Sequence, residues 1–243
     1  MQHVIDFLQR LKAHNDRAWF GDHKAEFLEV QARWHDFCGQ LLTALSPTDP
    51  WVTSLSVSDC TYRIYRDTRF SHDKSPYKTH FGVFIAPGGK KAGHAGYYFH
   101  VGTGGGTGYP DAHMLAAGHY CYDRRVVQIV REDIVDGDGD FDRIVSAARR
   151  EGFDFDPSDR LSRLPQPYAA IAAGRQNADA ATQRAVMRWQ EYLRLKVYCL
   201  SRPIDTATLL APDLPQRVAA ACAVTRPLLN YLNRAIDYAQ EMG

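Results

Sequence analysis

HFGVFIAPGGKKAGHAGYYFHV, residues 80–101, decides the fold class. Phe81, Val83 and Ile85 alternate with His80, Gly82 and Phe84. A period of two puts one set on each face of a β-strand. GYYFHV at 96–101 is a second β-rich run, and PGGKKAGHA at 87–95 between them suits a hairpin loop. So short a connection joins antiparallel neighbours, because a parallel crossover needs about a dozen residues or more. Working outward, the alternating segment 61–66 reads as a further strand, and so does HMLAAGHY at 113–120. Together these predict an antiparallel meander.

Helical periodicity flanks this region on both sides. Val4, Leu8 and Leu11, with Ile5 and Phe7, predict a helix over 3–13, which His14-Asn15-Asp16 breaks. Phe27, Val30, Trp34, Phe37, Leu41 and Leu45 step by three or four and predict a longer helix over 22–45. That aromatic stripe reads as core packing. Downstream, Asp123 suits the N-cap of a helix over 124–135, and 141–150 reads as another after the turn DGDGD. An irregular Pro-rich piece over 154–168 precedes a helix over 178–193 and a late strand, RLKVYCL, over 194–200. Two closing helices are expected over 214–224 and 227–240, with Pro227 opening the second. The expectation is a single α+β domain over 1–243: a central antiparallel sheet with helices packed on it and helical segments at both ends.

A chain of 243 residues can bury a proper core, and 45% hydrophobic with 23% charged residues is ordinary for a globular protein. The formal net charge of +1 supplies no global field toward nucleic acid or membrane, so anion binding has to be local. The five cysteines Cys38, Cys60, Cys121, Cys199 and Cys222 form no CxxC pair. An odd, scattered set reads as buried hydrophobes in a reducing compartment rather than a disulfide framework. The opening MQHVIDFLQRLKAHNDR lacks the apolar run of a signal peptide, and no stretch approaches the ~18 apolar residues of a spanning helix. A cytoplasmic location without a membrane partner is expected.

The local charge is in RIYRDTRFSHDKSPYK, residues 63–78. In an extended chain Arg63, Tyr65, Asp67 and Arg69 would share one face. Such a face is poor core but a good floor for an anion, since guanidinium forks bind carboxylate or phosphate bidentately. Asp67 would orient the arginines. Pro76 restricts the backbone that presents Lys74, Tyr77 and Lys78. The competing reading is architectural, with Asp67 and Asp73 tying down Arg63, Arg66, Arg69 and Lys74.

The run from Arg63 through Arg66-Asp67-Thr68-Arg69-Phe70 to Lys74, Tyr77 and His80 resembles the signature of a bacterial family, the domain of unknown function 2461 family. Phe7-Leu8, Asn15, Arg17, Trp19-Phe20 and Lys24 resemble its N-terminal pattern. Gly96-Tyr97-Tyr98 and Leu193-Arg194-Leu195-Lys196 resemble later motifs. The resemblance implies no assigned activity, cofactor or catalytic residue. It singles out Arg63, Arg66, Asp67, Arg69, Phe70, Lys74 and Tyr77.

Other motifs are weaker. GTGGGTG at 102–108 lacks the GK[ST] of a P-loop and opens no clear helix, so it reads as a turn between strands. His80, His100, His113 and His119 lack metal-binding spacing and read as hydrogen-bonded sheet residues, with metal a distant alternative. No GxSxG elbow occurs.

The favoured expectation is a pocket walled by Arg63, Arg66, Asp67, Arg69, Lys74, Tyr77 and Lys78 that binds a small carboxylated or phosphorylated ligand. Asp67 or Tyr77 would be the proton-transfer group if the protein is an enzyme. The alternatives are a nucleic-acid-binding module that stacks bases on Tyr62, Tyr65 and Tyr77, or a structural protein in which the Arg-Asp motif locks the N-terminal helices onto the sheet. Cofactors and oligomeric state are left open.

Overall fold

The computed structural model of the chain describes residues 1–106, 108–120 and 123–242; Cys121 and Thr107 lie outside them. In chain order the helices α1 (Gln2–Ala13), α2 (Arg17–Asp22), α3 (Lys24–Leu45) and α4 (Val57–Cys60) precede strands β1 (Phe81–Ile85), β2 (Gly96–Val101) and β3 (Met114–His119). Helices α5 (Arg124–Asp136) and α6 (Asp140–Arg150), strand β4 (Asp154–Phe155), helices α7 (Tyr168–Ala172), α8 (Ala180–Arg188) and α9 (Gln190–Leu193), and strand β5 (Tyr198–Pro203) follow. Helices α10 (Thr206–Leu209) and α11 (Leu214–Glu241) close the chain. The class is α+β, as expected. The antiparallel sheet has the order β1-β2-β3-β5-β4, a meander through β3.

Two compact units are present. One comprises Met1–Ala92, Gly96–Ala116 and Arg202–Ala223, the other Gly93–Ala95, Ala117–Ser201 and Val224–Gly243. In the first, the expected helix over 3–13 forms as α1, with Val4, Phe7, Leu8 and Leu11 buried. The break after it is shorter than expected, because the Asp16 carboxylate accepts from the Trp19 N–H at 2.9 Å and starts α2. The aromatic stripe of α3 is core: Trp34 lies 5.5 Å from the Phe81 ring and 6.3 Å from the Phe99 ring. Phe81 is opposite Val101, Val83 opposite Phe99, and Ile85 opposite Tyr97, so one face of the hairpin is apolar.

The opposite face carries the polar side chains of Tyr98 and His100. There Gly82 is opposite His100 and Phe84 opposite Tyr98. A Cβ at Gly82 would stand 2.6 Å from the Tyr98 hydroxyl oxygen. The missing side chain lets the Tyr98 ring cross the strand, where its hydroxyl meets His100 Nδ1 at 3.0 Å.

The expected strand over 61–66 does not form. Only isolated bridges occur, Thr61 to Val83 and Tyr65 to Tyr77. The arm opposite Tyr65 is interrupted by Pro76, which has no N–H to extend a ladder.

In the second unit, Asp123 caps α5 as expected, accepting from Arg125 N at 2.8 Å and Val126 N at 3.2 Å. Phe141 centres an aromatic cluster, with Tyr192 at 5.1 Å, Tyr198 at 5.6 Å and Tyr231 at 5.2 Å. The helix expected over 178–193 is two, α8 and α9, meeting at Trp189. The late strand starts at Tyr198 rather than at 194, because the last turn of α9 continues through the Leu195 N–H to Tyr192 carbonyl bond, 3.1 Å. Within the irregular piece, Asp154–Phe155 pairs with β5.

The closing pair of helices is a single helix, α11, with Pro227 inside it. A proline there removes one hydrogen bond and crowds the preceding turn. Leu228, Leu229 and Leu232 after it and Val218 and Cys222 before it are all buried, and this continuous packing outweighs the local cost. Among the described residues no helix is long and apolar enough to cross a membrane.

Candidate anion site

Residues 63–78 form a loop closed at its base by two backbone hydrogen bonds. Lys78 N donates to the Ile64 carbonyl at 2.8 Å and Arg66 N to the Pro76 carbonyl at 2.9 Å. Ile64 and Tyr77 are the buried residues of the two arms, 3% and 6% exposed, and they anchor the base in the core. The Tyr77 ring stacks on Phe20 with centroids 3.9 Å apart. The Asn15 side chain binds the Tyr77 backbone at both its carbonyl and its N–H. The arms are bridges rather than strands, so the imagined single face of Arg63, Tyr65, Asp67 and Arg69 is not formed: Arg66 and Asp67 line a cleft and Arg69 does not.

Arg66 holds the loop together from inside. Its guanidinium pairs with the Asp73 carboxylate and donates to the Ser75 carbonyl at 3.1 Å and the Ser71 hydroxyl at 3.4 Å. Asp73 also accepts from the Ser75 hydroxyl and N–H, and with Arg66 these bonds bring its pKa down to about 2. Arg69 and Asp67 form an exposed pair whose hydrogen bonds hold Asp67 below its usual range. Lys74 Nζ donates to the Thr68 carbonyl at 3.0 Å.

Beside the loop lies a cleft of about 680 Å³, lined among others by Lys12, Arg66, Lys78, His80, Tyr109 and Asp111. Asp111 pairs with Lys12 at 2.7 Å and accepts from the Thr103 hydroxyl at 2.8 Å, and both lower its pKa. The Gly-rich turn sets this wall. A Cβ at Gly102 would stand 2.3 Å from the Pro110 carbonyl oxygen, so only glycine lets residues 109–111 fold back so closely.

His80 Nε2 is 3.2 Å from the Tyr109 hydroxyl, and its ring stacks on His100 at 4.7 Å. His100 in turn reaches the Pro110 carbonyl through Nε2 at 2.9 Å. Burial, then the neighbouring His100 and the cations Lys78 and Arg66, push His80 down to about 3, so it is neutral at pH 7. Its buried Nδ1 has no hydrogen-bond partner among the described residues. Lys78 is half-buried on the same wall, and burial followed by Arg63 lowers its pKa.

The structure thus brings Arg66, Asp67, Tyr77 and Lys78 into one cleft, while Arg63, Arg69 and Lys74 are not among its lining residues. Lys12, Asn15, Tyr109 and Asp111 join them without a sequence signal of their own, apart from Asn15 in the N-terminal pattern. Of the other histidines, His113 is buried and neither ring nitrogen is hydrogen-bonded among the described residues, contrary to the hydrogen-bonded reading. Among the described residues no group of three or more His, Cys, Asp or Glu side chains is placed to hold a metal ion. Cys38, Cys60 and Cys222 are buried, and burial raises the pKa of each thiol.

The family described as Conserved hypothetical protein (DUF2461) matches residues 3–231 of the chain. No curated protein and no solved structure matches it.

Proposed function

The chain belongs to this conserved hypothetical protein (DUF2461) family, and we propose that its cleft beside residues 63–78 binds a small carboxylated or phosphorylated ligand through Lys78. The observation that carries this reading is a charge imbalance. Lys12 is neutralised by Asp111, Arg66 by Asp73, and Asp67 by Arg69. Among the described residues no carboxylate pairs with the Lys78 ammonium, and Arg63 adds positive charge beside it. A half-buried cation without a counter-charge is costly, and a bound anion supplies the missing charge. Tyr109 and the neutral His80 add hydrogen-bonding groups on the same wall.

In this reading the charged motif has two jobs. Arg66, Arg69 and Lys74 hold the loop, and Lys78 meets the ligand. Of the proton-transfer candidates, Asp67 is an ionised acceptor and Tyr77 a protonated donor whose pKa burial raises.

The test is thermal unfolding against small carboxylates, sugar phosphates, nucleotides and short oligonucleotides, at low and high salt, with Lys78→Gln in parallel. A ligand at ~100 times its dissociation constant stabilises by about 2.7 kcal/mol. A selective rise in Tm that Lys78→Gln abolishes is expected; no rise with any small anion would sink the reading. A second reading, nucleic-acid binding, is favoured by the exposed aromatics Phe70, 95% accessible beside Arg69, and Tyr65, 45% accessible near Lys24. It predicts stabilisation by oligonucleotides that disappears at high salt.

A further inference from the structure

We propose that the Lys78 amine is a nucleophile, condensing with the carbonyl carbon of a small anionic aldehyde or 2-oxo acid to form an imine in the cleft. The proposal rests on the anion-binding reading above and names its substrate class.

Half-burial separates Lys78 from the exposed Lys91, and the contacts of the remaining lysines separate it from those. Lys12 Nζ is in an ion pair with Asp111 at 2.7 Å. The ammonium groups of Lys74, Lys90 and Lys196 are spent on the carbonyls of Thr68, Ser58 and Ser158. Lys24 lies over the Phe20 and Phe27 rings at 5.2 and 4.8 Å, near the Tyr65 hydroxyl. Lys78 is fixed at its backbone by the 2.8 Å bond to Ile64 and lines the cleft, and among the described residues no carboxylate pairs with it. The Tyr62 ring, 5.4 Å from its Nζ, offers an aromatic face but no full counter-charge.

A lysine desolvated beside another cation is the arrangement that frees an amine for attack on carbonyls. Burial and Arg63 both act in that direction here. The Tyr109 hydroxyl and the neutral His80, 3.2 Å apart, line the same cleft and can hydrogen-bond the departing oxygen.

The step balances without an oxidant or reductant. The ammonium first gives one proton to solvent. The nitrogen lone pair then bonds to the carbonyl carbon and the π pair moves to oxygen; the nitrogen gives up a second proton and the oxygen takes one up, giving a neutral carbinolamine. That oxygen takes a second proton and leaves as water while the nitrogen closes the C=N bond. Overall one ammonium and one carbonyl compound become one protonated imine and one water. The imine keeps the positive charge that holds the substrate's anionic group.

The test uses the full chain with sodium cyanoborohydride, which reduces an imine to a stable secondary amine. The probes are glyoxylate, pyruvate, glyceraldehyde 3-phosphate and, as an uncharged control, acetaldehyde. Intact mass and peptide mapping locate the adduct. One adduct per chain is expected, on Lys78, forming at least about ten-fold faster than on any other lysine. Lys78→Arg keeps the charge and should abolish it, while Lys196→Arg should leave it unchanged.

Labelling spread evenly over the lysines, unchanged labelling in Lys78→Arg, or equal labelling by acetaldehyde would overturn the proposal. Thermal stabilisation by pyruvate or inorganic phosphate is measured on the same samples. Stabilisation without an adduct rejects imine formation and leaves the anion site standing. Absence of both rejects the two together.

Discussion

The Asn15 carboxamide binds both backbone polar groups of Tyr77: Nδ2 donates to the carbonyl at 2.9 Å, and Oδ1 accepts from the N–H at 3.1 Å. One side chain from the break between α1 and α2 thereby takes the place of a neighbouring strand. It ties the cleft wall to the N-terminal helices, beside the stacked rings of Phe20 and Tyr77.

Asn15→Ala removes both bonds and leaves two partly buried backbone groups unsatisfied. A loss of about 1–3 kcal/mol is expected. Urea unfolding with an unchanged m-value would register it as a lower midpoint. An unchanged midpoint would show that water replaces the amide at no cost.

Arg66→Ala should loosen the loop more than the fold. It removes the guanidinium that joins Asp73, Ser71 and Ser75, while the backbone bonds at the base of the loop remain. Limited tryptic digestion should then cut after Arg69 or Lys74 several-fold faster than in the wild type. Equal rates would mean that the base of the loop alone sets its order.

His80 makes stability depend on pH. Its folded pKa, about 3, lies below the ordinary 6.5, so the unfolded chain binds more protons between these values. The stability it contributes is complete above about pH 6.5 and is lost as pH falls toward 3. Tm measured from pH 7.5 to 4 should therefore fall less steeply in His80→Gln than in the wild type. His100 and His113 are also lowered by burial, so a residual slope should remain in the variant. Parallel curves would contradict a neutral buried His80.

Gly82→Ala should push the Tyr98 ring off the strand, since the new Cβ would meet the hydroxyl oxygen at 2.6 Å and Cε2 at 2.8 Å. Overpacking of this kind costs about 1–3 kcal/mol. Combining it with Tyr98→Val should cost less than the sum of the two single changes, because the clash disappears with the ring. Strict additivity in a double-mutant cycle would refute the proposed steric conflict.

Local pattern made much of the fold legible. Phe81, Val83 and Ile85 announced β1, and the stripe from Phe27 to Leu45 announced α3, because each reports a short-range period tied to one buried face. The same reasoning misread 61–66. Its alternation is real, but Ile64 is its deeply buried residue and Pro76 denies it a full partner strand. It also divided α11 at Pro227, where buried leucines carry the helix through.

For the candidate site, the sequence alone determined that positive charge is concentrated at 63–78 and that a turn at Ser75-Pro76 presents it. Tertiary structure decided which of those charges are already spent. Arg66 meets Asp73 seven residues away, within the loop itself, whereas Lys12 meets Asp111 across 99 residues and Asn15 meets Tyr77 across 62. Pairing over such separations depends on how the helices and turns pack rather than on any local period. That packing neutralises Lys12 and Arg66 and leaves Lys78 half-buried, with no carboxylate partner among the described residues.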